Sequence, residues 1–283
     1  MAEPILKIEH LKKHFGSNQV LVDVNLDVYK GEVVCIIGQS GHGKSVILKN
    51  IMGLMLPDGG QIFFEGEVIS SPTKRSNEFE RVRKRFGMLF QGAALFDSMT
   101  VGENIAFPLR ERTGMSEEEI NKTIVSVLEM VGLHGIELVM PAELSGGMRS
   151  RVGLARAIAM KPEVMLYDEP TSALDPIMSE KINDLIVDLR NKLNMTSIVV
   201  THDIASAYKI SDKMVMLHDG KVIFHGSPAE IRASRNPYIQ QFIRGQRKMY
   251  YAFEEEKTYD DQFDIDKVRS AVPRRQVRGK SDE

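Results

Sequence analysis

The run GQSGHGKS at Gly38 to Ser45 follows an apolar stretch, Val33 to Ile37, and leads into a helix-forming stretch from Ser45 to Gly53. A turn of the form G-x-x-x-x-G-K-[ST] between a strand and a helix is a phosphate cradle, because its glycines let backbone N–H groups face inward and the helix dipole adds positive potential. In this reading Gly38, Gln39, Ser40, Gly41, His42, Gly43, Lys44, Ser45 and Val46 surround the phosphates of ATP. Lys44 is expected to reach the β- and γ-oxygens, and Ser45 to ligate Mg2+. The competing reading, a Gly-rich turn of no special use, is weakened by the flanking strand and helix.

Strand-like runs at Ile5 to Ile8, Val20 to Val28, Val33 to Ile37, Gln61 to Glu65, Phe86 to Phe90, Val164 to Tyr167, Ser197 to Val200, Met214 to Leu217 and Val222 to Phe224 alternate with helical stretches, the pattern of an α/β layer protein. From Gln91 to Met160 strand signals vanish and Ser116 with Glu119 forms a capping box, so Gly92 to Met160 is expected to be an inserted helical subdomain. Ser227, Pro228 and Glu230 announce another helix, and NPYIQQFIRG carries the domain to Gly245. Residues 1–245 are therefore read as one nucleotide-binding domain, and 246–283 as a charged C-terminal extension.

At 283 residues the chain has room for one such domain but not two, and its 42% hydrophobic and 27% charged residues suit a globular protein with a real core. A net charge of -2 gives no electrostatic reason to expect nucleic acid as a partner. The longest apolar runs are too short to span a bilayer, and the start, MAEPILKIEH, does not read as a secretory signal. One cysteine, Cys35 in an apolar strand, excludes a disulfide framework and points to a reducing compartment.

Asp168 ends the apolar strand Val164 to Tyr167, where a carboxylate can meet the Mg2+ held by Ser45, while Glu169 stays free of the metal and can polarise water. Gln91 follows FGMLF and His202 follows SIVV, so both are polar groups at strand ends, on the side where α/β sheets bind ligands; each could also be an ordinary loop residue. Asp175, ahead of Pro176, reads as a helix cap. Ser145, Gly146 and Gly147 in LSGGM precede a helix from Met148 to Met160 and offer a hydroxyl, bare amides and a dipole with no phosphate of their own.

The order GQSGHGKS, Gln91, LSGGM, VMLYDE, TH resembles the motif series of ATP-binding-cassette (ABC) proteins from Ile5 to about Gly245. The resemblance implies a P-loop domain with an antiparallel β-subdomain, and an ATPase that closes two copies around ATP. It also implies that Ser145, Gly146 and Gly147 address the ATP held by the second copy, with Asp175 at the subunit contact. By the same resemblance Phe15 stacks on adenine, Gln91 serves Mg2+ and water, and His202 meets the γ-phosphate; Phe15 read alone could equally be core. His42 and Met148 depart from the residues frequent at their positions without removing a phosphate donor.

A narrower likeness rests on VRKRFGMLFQGAALFDSMTVGENIAFPLRE at Val82 to Glu111, LSGGMRSRVGLARA at Leu144 to Ala157 and QQFIRG at Gln240 to Gly245. These are similar to ATPase subunits of MCE-type lipid transporters, the group that includes the Mla phospholipid system. That likeness implies a homodimer on the cytoplasmic face of the inner membrane, beneath two permease subunits and with an MCE protein carrying phospholipid. Ala93, Ala94, Leu95, Phe96 and Met99 are too apolar for a free loop and fit a permease groove or internal packing. Met249 and the five aromatics Tyr250, Tyr251, Phe253, Tyr259 and Phe263 lie in the extension, which fits packing on the partner ATPase or a solvated tail. The alternatives are an importer ATPase for polar solutes such as amino acids, and a soluble ABC ATPase acting on ribosomes or DNA.

Overall fold

The computed structural model describes residues 3–75, 82–172 and 174–245. Its centre is β3 (Val33–Ile37), five buried residues in a row. Val33, Cys35 and Ile37 enter one apolar cluster, whereas Val34 and Ile36 enter another. Successive side chains of a strand point to opposite faces, so an unbroken apolar run is what a strand covered on both faces requires.

Parallel neighbours extend the sheet on both sides of β3: β7 (Phe86–Leu89), β8 (Val164–Asp168), β9 (Thr196–Thr201) and β10 (Lys213–His218), in the order β10-β3-β9-β8-β7. The same alternation recurs in β8, with Met165 and Tyr167 on one face and Val164 and Leu166 on the other. Beyond β10, β11 (Lys221–Gly226) returns antiparallel. An antiparallel arm follows in the order β6-β5-β4-β1-β2: β1 (Leu6–Phe15), β2 (Asn18–Val28), β4 (Gly59–Phe64), β5 (Glu67–Ser71) and β6 (Lys74–Arg75). The arm joins β11 through one ladder pair, Lys221 with Asp23, and through the Val22 N–H, which donates to Gly220 O at 2.8 Å.

β1 is longer than its apolar pattern predicts. The pairing with β2 shifts register between Ile8 and Leu11, where His10 has a φ of 52°, so the alternation breaks although the strand continues to Phe15. β5 and β6 carry no alternation that would have announced them.

One face of the parallel strands is covered by α1 (Lys44–Ile51) and the arm, the other by the remaining helices. Within the stretch from Gly92 to Met160 lie α2 (Val101–Arg112), α3 (Glu117–Met130) and α4 (Gly146–Ile158). Thr100 with Glu103 and Ser116 with Glu119 form capping boxes at α2 and α3. α4 begins two residues before the expected start, because the Ser145 hydroxyl accepts the Met148 N–H and makes Ser145 the cap. α5 (Pro176–Leu193) starts on Asp175, whose carboxylate accepts the Met178 N–H at 3.0 Å, and α6 (Ile204–Ile210) starts on Asp203. α7 (Pro228–Ala233) has the Ser227–Glu230 box, and residues 237–245 are helical with Ile239, Phe242 and Ile243 buried. The aromatics of the extension lie outside the described residues.

Arg85 fastens the arm to the parallel sheet. Its guanidinium donates to Glu65 (2.7 Å twice) and to Glu163 (2.5 and 2.7 Å), and lies 4.5 Å from the Phe64 ring. These bonds hold the Glu65 and Glu163 carboxyls below the usual carboxylate range. All three side chains are a third to a half exposed, so solvent screening reduces the contribution to about 1 kcal/mol. Arg85→Met is expected to lower the Tm by about 2–4 °C near neutral pH. Because the folded carboxyl pKa values are depressed, this difference is complete above the unfolded value of about 4.3 and fades as pH falls below it. Thermal melts from pH 7 to pH 3 check both the size and the sign.

Candidate functional site

The carboxyl ends of the parallel strands meet at one edge, and many, though not all, of the sequence-predicted residues gather there. β3 ends at Ile37 and passes into the turn Gly38 to Gly43, β8 ends at Asp168, β9 at Thr201, and β7 at Leu89, two residues before Gln91. Phe15, Ser40, Gly41, Gly43, Lys44, Ser45, Val46, Gln91, Glu169 and His202 line one open cleft of about 420 Å³, together with Val20. A larger cleft of about 930 Å³, between β1, β2 and β11, shares no lining residue with it and carries charges of both signs, such as Lys7, Glu9, Asp23 and Lys221.

The turn needs glycine for space as well as for backbone freedom. Gly43 has a φ of 94°, and a Cβ there would stand 2.7 Å from Leu21 Cδ2. This leaves the backbone N–H groups free to converge and begins α1 with its dipole facing the cleft.

Lys44 is almost fully buried and donates to the carbonyl oxygens of Gly38 (2.9 Å) and Gln39 (3.0 Å), with Glu169 Oε1 at 3.5 Å. Burial pushes its pKa below the ordinary lysine value, against the pull of Glu169. The Ser45 hydroxyl donates to Asp168 Oδ1 at 2.6 Å. Burial raises the Asp168 pKa, and the Ser45 bond opposes this. A hydroxyl and a buried carboxylate in contact beside a phosphate cradle form the all-oxygen donor set that Mg2+ prefers.

Glu169 adopts a left-handed backbone, φ 49°, unusual for a residue with a side chain. Its N–H donates to Val200 O at 2.9 Å, and the Ser172 hydroxyl donates to its carbonyl at 3.0 Å. The side chain lies against His202, whose Nδ1 is 2.8 Å and whose N–H is 3.3 Å from Oε2. An ionised carboxylate only accepts, which places the imidazole proton on Nδ1 and leaves Nε2 for another partner. Gln91 is exposed, its amide donating weakly to the Ser172 hydroxyl at 3.5 Å.

Phe15 is 50% exposed at the end of β1. That exposure favours stacking on a ligand over core packing. Ser145, Gly146, Gly147 and Asp175 do not line the cleft of their own chain. A Cβ on Gly147 would lie 2.3 Å from Met178 Cε, so the second signature glycine also serves the packing of α4 on α5.

Two residues of the site's support went unremarked in the sequence. Arg156 on α4 donates to the carbonyls of Ala93 (2.7 Å) and Ala94 (2.8 Å), two residues with positive φ, and lies 5.8 Å from the Phe96 ring. Asn104 on α2 is fully buried: its amide donates to the carbonyls of Phe96, Met99 and Thr100, and its oxygen accepts the Phe96 N–H. An Arg in a helix whose neighbours are buried was the available signal.

The family model described as ABC transporter matches residues 21–172, and thus carries the turn at Gly38, the signature at Leu144 and the Asp168–Glu169 pair. The chain belongs to the ABC transporter family. Its ABC relatives include the intermembrane phospholipid transport system ATP-binding protein MlaF of Haemophilus influenzae, 40% identical over 246 residues that span 87% of this chain and 92% of that protein. A probable ribonucleotide transport ATP-binding protein, mkl, of Mycobacterium leprae is 40% identical over 253 residues, 89% of this chain and 72% of that one. Among solved ABC structures, the dimeric post-hydrolysis state of the ATP-binding cassette MJ0796 bound to ADP and Pi has a TM-score of 0.71 and 34% identity, covering 79% of this chain and 98% of that one.

Lys44→Ala is expected to weaken ATP binding about 10- to 100-fold, the loss of charge-assisted bonds worth about 1.5–3 kcal/mol. Glu169→Gln should bind ATP within a few-fold of the natural chain while hydrolysing it at least about 100-fold more slowly. Nucleotide titration followed by single-turnover hydrolysis checks the pair, and equal loss of binding in both variants would refute the division of roles.

Proposed function

We propose that this ABC ATPase powers the movement of phospholipid between an inner and an outer membrane, as a pair of copies beneath two permease subunits and with an MCE-domain protein as lipid carrier. The observation that carries the reading is 40% sequence identity to MlaF across 92% of that protein's length. The mkl relative, named for ribonucleotide transport, is spanned over 72% of its length and keeps import of a polar solute as the second reading.

In this reading Lys44 and the amides of Gly38 to Gly43 hold the phosphates, and Phe15 stacks on the base. Ser45, Asp168 and Gln91 hold Mg2+, which when bound neutralises phosphate charge. Glu169, aimed by its left-handed backbone and by His202, accepts the proton of the attacking water, while His202 Nε2 addresses the γ-phosphate. Ser145, Gly146 and Gly147 address the ATP of the second copy, with Asp175 at the subunit contact, in a pair of the kind that the MJ0796 cassette forms. Swinging an open pair closed, from 1:99 to 99:1, takes about 5.5 kcal/mol, or about 2.7 per ATP, which one or two bonds to a γ-phosphate supply. Hydrolysis removes them.

Among the described residues no helix is long and apolar enough to cross a membrane, so attachment on the cytoplasmic side of the inner membrane falls to the permease. The apolar segment after Gln91 divides accordingly. Ala93 is buried and Leu95 packs on the core, while Ala94 and Phe96 face outward, Phe96 in edge contact with the exposed Phe107 at 5.2 Å. This aromatic pair is the docking surface proposed for a permease helix, and the C-terminal extension is proposed to pack on the second ATPase.

Purification of the chain from its native membrane, with identification of co-purifying proteins and lipids, tests the reading. A permease, an MCE protein and phospholipid support it; a permease with a solute-binding protein supports the second reading, and ribosomes would overturn both. Phe107→Asp is expected to leave ATP binding unchanged and to lower the yield of co-purified permease at least about tenfold, consistent with a central aromatic anchor worth about 2 kcal/mol. Permease recovery equal to that of the natural chain would remove Phe107 from the docking surface.

A further inference from the structure

The turn between β10 and β11 brings two side chains that the nucleotide cleft does not use against one that the phosphate turn sends away from it. His218 ends β10, Asp219 follows with a φ of 45°, and His42 stands between Gly41 and Gly43. The Asp219 N–H donates to His42 Nδ1 at 3.3 Å, and the Asp219 carboxylate lies 3.6 Å from His42 Nδ1 and 3.5 Å from His218 Nε2. The His42 and His218 rings stack, with centroids 5.5 Å apart and planes 16° from parallel, and His218 also packs on Tyr238 at 3.7 Å. His218 Nδ1 is buried without a hydrogen-bond partner. Each of the three side chains offers one ligand atom, and these atoms lie within 4.8 Å of one another.

We propose that His42, His218 and Asp219 form a binding site for a divalent transition-metal ion of the zinc class, with water completing the coordination. Two imidazoles and one carboxylate suit Zn2+ and its neighbours, whereas Mg2+ takes oxygen ligands such as the Ser45–Asp168 pair. Ligand atoms around tetrahedral zinc, at bonds of about 2.0–2.1 Å, stand about 3.4 Å apart, so the group closes by an ångström or so. Asp219, 77% exposed at the tip of the turn, has the freedom to move that far. Occupancy ties the phosphate turn to the β10–β11 hairpin and, through Tyr238, to the helical segment 237–245. No step of ATP hydrolysis requires it.

The test is a calorimetric titration of the untagged, nucleotide-free full chain with Zn2+ in excess Mg2+, paired with Co2+ absorption to read imidazole and carboxylate coordination. One equivalent per chain is expected. His218→Gln and Asp219→Asn should each weaken it about tenfold or more. Asn tolerates the positive φ at 219, so the second variant keeps the turn, and unchanged MgATP hydrolysis in zinc-free buffer shows that both variants are folded. Absence of saturable binding to the natural chain, or binding to both variants as tight as to the natural chain, would overturn the site, whatever the transported substrate proves to be.

Discussion

Lys44 is a cation taken almost entirely out of water, and much of the site is arranged around that fact. Two main-chain carbonyls and one carboxylate face it, fewer partners than water would provide, and burial holds its pKa below the ordinary lysine value. Phosphate oxygens, in the reading proposed above, would complete the set. The same burial works in the opposite sense on Asp168, whose raised pKa favours any cation that comes to rest against Ser45. An ammonium at the start of α1 and a carboxylate at the end of β8 mark the place proposed above for a metal–triphosphate.

The support of that arrangement is carried by hydrogen bonds to main chain rather than by further charges. Arg156 reaches from the helix begun by the signature residues to the carbonyls of Ala93 and Ala94, and Asn104 closes the loop between Phe96 and Thr100. A shift of α4 would therefore be felt by the segment beginning at Gln91 and by the aromatic pair outside it. Ser145 and Phe96 are in this way connected through one rigid helix.

Much of this was legible in the sequence because it is written in local rules. Val33 to Ile37 read as an apolar strand, and the caps at Ser116, Asp175 and Ser227 read as helix starts, since each depends on neighbours a few residues away. What was not legible depends on distant contacts. The bulge at His10 hid β1 beyond Ile8, β5 is made a strand by its pairing with β4, and β6 by its pairing with β5, rather than by pattern. Arg156 and Asn104 look ordinary until the carbonyls they serve, dozens of residues away for Arg156, are in place. Phe15 could have been core; only the ending of β1 at the cleft shows it outside.

The junction between the antiparallel arm and the parallel sheet carries one ladder pair, where β3 and β9 share five. Phe15 belongs to the arm, and Lys44 and Glu169 to the parallel side. In the reading proposed above, the two ends of a bound nucleotide would therefore rest on two pieces of sheet joined by few backbone hydrogen bonds. Beyond those backbone bonds the seam is held by the Arg85 bridge and by the apolar cluster shared across it, and a nucleotide bound as proposed would add a further tie between arm and parallel sheet.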